Sequence, residues 1–241
     1  MTEATDIGDI LKRHGKFRGK EVLEKSRKHM EPNEIDRFFV KIKEKSPLYW
    51  YPFYYLTYQF GCRVTETSII LKEDVSFETK QIIIRRVKKR NEEGGFAEKL
   101  YDIDDKLLGI ISIALAYSEH YNKLDNPYLF PAQRKRKSRS AFPPRDLRLR
   151  RLEGFHAVSR RTAYQVFVDT CSEIEIPKKL AHPHTLRHTR ATLMLADGIP
   201  AEQVQYFLGH ENIKTTHGYL GMAMSMRSRY QESVDFGMGG I

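Results

Sequence analysis

Apolar residues recur at helical spacing along most of this chain, and the spacing tightens to alternation once. In "MEPNEIDRFFVKIKEK" the positions Ile35, Phe38, Phe39 and Ile42 form one stripe. Pro32 there suits a first helical turn, and Asn33 and Glu34 suit its positive end. The aromatic run "PLYWYPFYYLTYQFG" predicts a buried helix that starts after Pro52 and closes at Gly61. "TETSIILKEDV" predicts another from near Thr65, with Glu66 in its first turn. The period then changes: "TKQIIIRRVKKR" and "FAEKLYDID" are β-rich and flank "NEEGG", the pattern of a hairpin. Helical spacing returns at 104–122, at 159–173 behind a Ser159 cap, and at 183–197. Pro183 stands near the start of the last of these and Gly198 just past its end. "PAEQVQYFL" predicts a short helix stopped by Gly209, and "THGYL" one or two further turns. The expected fold class is α+β, mainly α, with one small antiparallel hairpin or three-stranded sheet and no doubly wound α/β sheet.

With 241 residues, the chain fits one large domain with small appendages. The division this predicts is a polar, basic arm or linker at 1–29, one catalytic-sized domain at 30–222, and a tail at 223–241. The segment after Tyr219 is thin in apolar residues (Met222, Met224, Met226, Val234, Phe236), and reads equally as frayed or as docked on a neighbouring protomer. A hydrophobic fraction of 40% can fill a core, and no uninterrupted apolar run of about 18 residues is present, which excludes a membrane-spanning helix. The N-terminus lacks the apolar stretch of a secretory signal, and two cysteines, Cys62 and Cys171, cannot build a disulfide framework. Both features predict a reducing, cytoplasmic setting. A formal charge of +10 points to a polyanionic partner, with DNA or RNA ahead of an anionic membrane surface. Much of that charge sits in a basic loop at 132–157, where "RKRKSRSAFPPRDLRLRR" sets nine basic residues against Asp146. The run reads either as a solvated loop or localisation tag, or as a phosphate-contacting surface.

Candidate chemistry gathers near the C-terminus. "HPHTLRHTRATLML" holds His182, His184, Arg187 and His188, and "LGHENIKTTHGYL" adds His210 and Tyr219. Zinc fits poorly, because neither cysteine lies near and no helical His-Glu-x-x-His arrangement exists; no metal is expected. A phosphate clamp fits better. His184 and Arg187 are three apart, so a helix presents them on one face. A guanidinium matches two phosphate oxygens, and an imidazole beside it can donate or take a proton. By itself the pair reads as readily as a solvated basic face.

The wider assembly changes that balance. "GCRVTE" with Arg63, "LKEDV", "HTLRH", "LGH" and a tyrosine nine residues after the last histidine resemble the catalytic signature of the tyrosine recombinases, the phage integrase family. The resemblance covers about residues 30–222 and is most specific over 182–220. It implies Tyr219 as nucleophile, forming a 3′-phosphotyrosyl bond and freeing a 5′-hydroxyl. Arg63 and Arg187 would bind the non-bridging oxygens, His184 would accept the tyrosine proton or relay it, and His210 would bond the phosphate. Lys88, with Lys89 its rival because strand register is open, would protonate the leaving oxygen. His182 then reads as a loop residue, and His188 as a buried helix contact. The resemblance further implies double-stranded DNA sites, a homo-tetramer on DNA, and neither cofactor nor ATP. It also implies a nucleoid-associated or virus-encoded protein, and integration, excision, inversion or resolution as the outcome. A type IB topoisomerase-like enzyme, or a catalytically idle DNA-binding regulator of the same fold, remain the alternatives.

One departure stands out. Only about 30 residues precede "EPNEIDRFF", too few for the helical core-binding domain that most members carry. Arg134, Lys135, Arg136, Lys137, Arg139, Arg148, Arg150 and Arg151 of the basic loop, with the arm 12–28, are expected to supply some of the missing phosphate contacts.

Overall fold

Helix α1 (Pro32–Lys45) begins where the sequence places it, because Glu34 reaches back to accept from the Glu31 N–H at 2.7 Å, satisfying a donor that a helix start leaves open. Its stripe of Ile35, Phe38 and Ile42 is buried. The computed structural model describes residues 27–90, 95–121, 126–132, 155–209 and 212–235, and the side chains of all of these but 88–90, 121 and 228–235. Helix α2 (Trp50–Gln59) starts two residues before Pro52, earlier than expected. The N–H groups of a first turn have no partner within the helix, so a proline is tolerated there. The helix ends in a left-handed Gly61 (φ 54°), with the Cys62 N–H turned back to the Thr57 carbonyl at 2.8 Å.

The helix expected from Thr65 is much shorter than the sequence suggested. Helix α3 spans only Val64–Ser68. The β-branched run that follows leaves it to pair across the fold: the Leu129 N–H donates to Ile70 O, and the Lys72 N–H to Pro127 O, each at 2.9 Å. A 3₁₀ turn at Lys72–Asp74 then leads into a three-stranded antiparallel sheet, β1 (Val75–Ser76), β2 (Gln81–Arg90) and β3 (Phe96–Asp102), in the order β1-β2-β3. Ile82 and Ile84 of β2 are fully buried, and Arg86 follows them on the same face. Regular pairing runs to Arg86–Ala97, and the register shifts before Arg90–Phe96. Lys88 and Lys89 fall inside that irregular stretch.

Helices α4 (Asp105–Tyr121) and α5 (Arg160–Glu173) follow, the second capped by the Ser159 Oγ, which accepts from the Thr162 N–H at 3.0 Å. The stems of the basic loop are tied together, with the Ala132 N–H bonded to His156 O at 2.8 Å and the Val158 N–H to Phe130 O at 2.9 Å. Residues 133–154, and with them all eight arginines and lysines named above, lie outside the described residues, as do residues 1–26 of the arm expected at 1–29. The chain closes with α6 (His184–Ala196), α7 (Ala201–Leu208), α8 (Ile213–His217) and α9 (Leu220–Asp235). Helix α9 is a correction to the sequence reading, which saw one or two turns and then a tail. Its first turns bury Ala223 and Met226, and Ala223 joins a cluster with Ala191, Met194 and Leu195 of α6. The helix crosses the boundary expected at 222 without a break.

The larger core joins α1, α2, α4, α5 and the sheet through an aromatic cluster. Phe167 has no exposed surface and lies 4.6 Å from the Phe38 ring and 5.5 Å from that of Tyr54. Phe167→Ala is therefore expected to cost about 3–5 kcal/mol, a loss readable in urea unfolding. A cost below about 1 kcal/mol would show that this cluster is not a close-packed core. No helix among the described residues is long and apolar enough to cross a membrane.

Candidate active site

Three separate stretches meet at one carboxylate. Glu66, in α3 and fully buried, accepts from the Arg63 N–H at 2.9 Å and from the Arg63 guanidinium at 2.7 Å. From β2, Arg86 donates at 2.9 Å to Oε2, the oxygen that also takes the Arg63 N–H, and Arg187 of α6 stands 4.0 Å from that oxygen. Burial pushes the Glu66 carboxyl up, but Arg86 and Arg63 outweigh it and hold the group below the ordinary carboxylate range. Glu66 was read from the sequence only as a first-turn acid and a partner for Arg63. Its role as the hub of three arginines depends on residues up to 121 positions further along the chain.

Arg187 is fully buried and bridges the two halves of the site. It donates to Gly61 O at 2.6 Å and to Leu208 O at 2.8 Å. Burial and the neighbouring Arg63 push it down to about 10, so it stays charged at neutral pH. The close approach here needs Gly61: a Cβ at that position would stand 2.3 Å from Leu208 Cδ2. Arg86 extends the same framework, donating to Phe60 O at 3.1 Å and Phe207 O at 3.0 Å, with Tyr101 Oη also within its reach. Sequence reasoning passed over Arg86 and Tyr101. Their only mark was a period-two position beside Ile82 and Ile84, which a solvated edge strand shares.

Tyr219 occupies the two-residue joint between α8 and α9, and is 5% exposed. Burial raises its pKa, while Arg187 and Arg63 act on the phenol in the opposite sense. Both guanidiniums therefore bear electrostatically on the tyrosine oxygen. His188 Nδ1 lies 2.7 Å from Tyr219 Oη. His188 was expected to be a buried helix contact that holds the active face in place; it is half-buried and stands directly against the phenol. The available signal was its spacing, one turn after His184 on the same helical face. His184 itself is exposed, with its ring centre 4.6 Å from that of His188, and the His182 ring lies 6.5 Å from it. The Met30 N–H, bonded to Thr189 Oγ1 at 2.9 Å, fastens the segment carrying Lys28 to α6 beside this cluster. Burial, then His184, His182, Lys28 and Arg187, push His188 down to about 3, so its imidazole is neutral at physiological pH.

The structure thus gathers Arg63, Arg187, His184 and Tyr219. His210 lies outside the described residues, although Gly209 before it is left-handed (φ 69°) and packs on Arg86. Lys88 and Lys89 belong to β2, and their side chains also lie outside the description. Among the described residues no three His, Cys, Asp or Glu side chains are grouped to hold a metal ion.

A sequence profile of the phage integrase family matches residues 28–226. A tyrosine recombinase of Thermosipho africanus is 27% identical over 168 residues, 70% of this chain and 48% of that protein. The tyrosine recombinase XerA of Thermococcus onnurineus is 30% identical over 177 residues, 73% of this chain and 52% of that one. The chain spans about half the length of these curated relatives. Among solved structures, the XerH site-specific recombinase bound to a palindromic difH substrate superposes with a TM-score of 0.62 at 18% identity. That match covers 86% of this chain and 52% of the other, and is a likeness of fold.

Proposed function

The chain belongs to the phage integrase family, and from that premise we propose that it is a site-specific DNA recombinase working through a 3′-phosphotyrosyl intermediate. Tyr219 attacks the scissile phosphodiester, and the energy of that bond is kept in the protein–DNA link, so rejoining needs no ATP. Arg63 and Arg187 meet the charge on the non-bridging oxygens, with His210 adding a hydrogen bond. His184 takes part in removing the tyrosine proton, and Lys88, or Lys89, protonates the 5′-oxygen as it leaves. The observation that carries the reading is that Arg63 and Arg187, from segments far apart in the chain, both bear on the Tyr219 phenol. Double-stranded recombination sites are the substrate, held in a tetrameric complex.

The test is covalent trapping. A pool of nicked duplexes, in which a short 5′-fragment diffuses away after cleavage, is incubated with the protein and selected for detergent-stable adducts. The expected result is an adduct whose DNA-linked peptide contains Tyr219. A protein that binds duplex DNA but forms no adduct with any duplex of the pool overturns the proposal, and leaves a DNA-binding regulator of the same fold.

The basic loop is proposed to hold DNA by neutralising backbone phosphates. Removing the charge of its eight arginines and lysines is then expected to flatten the dependence of log K on log salt, by about 0.9 for each phosphate that is no longer neutralised. An unchanged slope would remove the loop from the interface.

A further inference from the structure

His188 stands within hydrogen-bond reach of the proposed nucleophile, and neither the family signature nor the reading above gives it a task. We propose that His188 is a catalytic residue that takes the Tyr219 proton as the phosphotyrosyl bond forms, with His184 next in line toward solvent. This deepens the proposed strand cleavage and rests on it.

The geometry comes first. Nδ1 stands 2.7 Å from Tyr219 Oη, the reach a general base needs. The edge-on ring of His184, 4.6 Å away centre to centre, is exposed, so a proton delivered to His188 has a neighbouring imidazole through which to leave. The step balances. The Tyr219 O–H bond breaks and its proton goes to Nδ1; the freed electron pair forms the Oη–P bond; the P–O5′ bond breaks, and the 5′-oxygen takes a different proton from the hairpin lysine.

The charges around the pair make this activation conditional. His188 faces His184 on its own helix, His182 just before it, Lys28 from the N-terminal segment and Arg187 behind it, and Tyr219 faces Arg63 and Arg187. Burial first, and then these neighbours, keep the imidazole a poor base in the DNA-free protein, and burial holds the proton on the phenol against the two arginines. A phosphodiester seated between Arg63 and Arg187 brings a negative charge that offsets them. The basicity of His188 then rises only when there is a phosphate to attack.

His188→Asn leaves an amide oxygen near the place of Nδ1 that can accept the phenol's hydrogen bond but not its proton. Single-turnover adduct formation on the trapped nicked site is expected to fall about 10²–10⁴-fold in this variant. The rise of the wild-type rate with pH below neutrality is expected to vanish with it. The deficit should persist on a site whose scissile 5′-oxygen is replaced by sulfur, which leaves without a proton. In the free wild-type protein, ¹⁵N-histidine spectra should show His188 neutral, protonated on Nε2, down to pH about 5.

An adduct rate equal to wild type, or a slower rate with an unchanged pH profile, overturns the catalytic role. Recovery on the sulfur-bridged site would put His188 on the leaving-group side, and a proton resident on Nδ1 in the free protein would make it a donor to the phenol; either result overturns it too. The ¹⁵N readout stands even if His188→Asn does not fold. Absence of any adduct with the wild-type protein would instead overturn strand cleavage itself, an outcome distinct from all of these.

Discussion

Tyr219→Phe is expected to abolish the covalent DNA adduct while leaving the fold in place. The ring is buried beside Ala191, Met194 and Leu208, and phenylalanine keeps that packing. What disappears is one oxygen and its hydrogen bond to His188, a stability change of about 0.5–1.5 kcal/mol. The chemical effect is of another order. Without the oxygen there is no bond to form, and removal of a covalent nucleophile costs on the order of 10⁶-fold. The two quantities separate cleanly in one preparation: urea unfolding for the fold, and detergent gels of protein on nicked DNA for the chemistry. A persistent adduct in the phenylalanine variant would place the nucleophile on another residue, and the site would have to be redrawn around it.

The second large effect is expected at Glu66. Replacing it with alanine leaves Arg86 and Arg187, both buried, facing each other with their shared counter-charge gone. Breaking a buried ion pair from one side costs about 3–5 kcal/mol. For a domain of this size each kcal/mol lowers the melting temperature by about 2–4 °C. Activity is expected to fall with stability, since the Arg63 main chain and guanidinium are both anchored on that carboxylate. Acid should act in the same sense. The folded protein holds Glu66 below its ordinary range, so its contribution is complete above the unfolded carboxyl value of about 4.3 and is lost as pH falls through the lower, folded value. Glu66→Gln keeps the shape and removes this pH dependence. If acid unfolding of the glutamine variant follows the wild-type curve, the carboxylate is not the source of the sensitivity.

The sequence was most legible where one short-range force decides the outcome. Ser159 before a helical period, Pro32 at a first turn and Gly209 after a last one each act within a few residues, and the structure has them in those places. The expectations failed where distant partners compete with local preference. "SIIL" follows a good helix start, yet its backbone pairs with residues 127–129, which no local pattern announces. Helix α9 was missed because its apolar positions are few; Ala223 and Met226 suffice only because α6 offers a surface that fits them. The site shows the same division. Arg63, His184, Arg187 and Tyr219 sit in motifs that can be read at fixed spacing. Arg86 and His188 are marked by which atoms they touch; a lone arginine on a strand does not disclose that, and the spacing of His188 after His184 gives its face but not its partner.

The bond from Arg187 to Gly61 closes a loop of 126 residues. During synthesis, Arg63 and Glu66 leave the ribosome long before their partners on α6, and the tyrosine follows later still. A chain interrupted between α6 and α8 would carry Arg63, Arg86 and Arg187 without Tyr219, the proposed nucleophile. In the proposed recombinase, competence for strand cleavage would therefore arrive only after the arginines that receive the phosphate are already made.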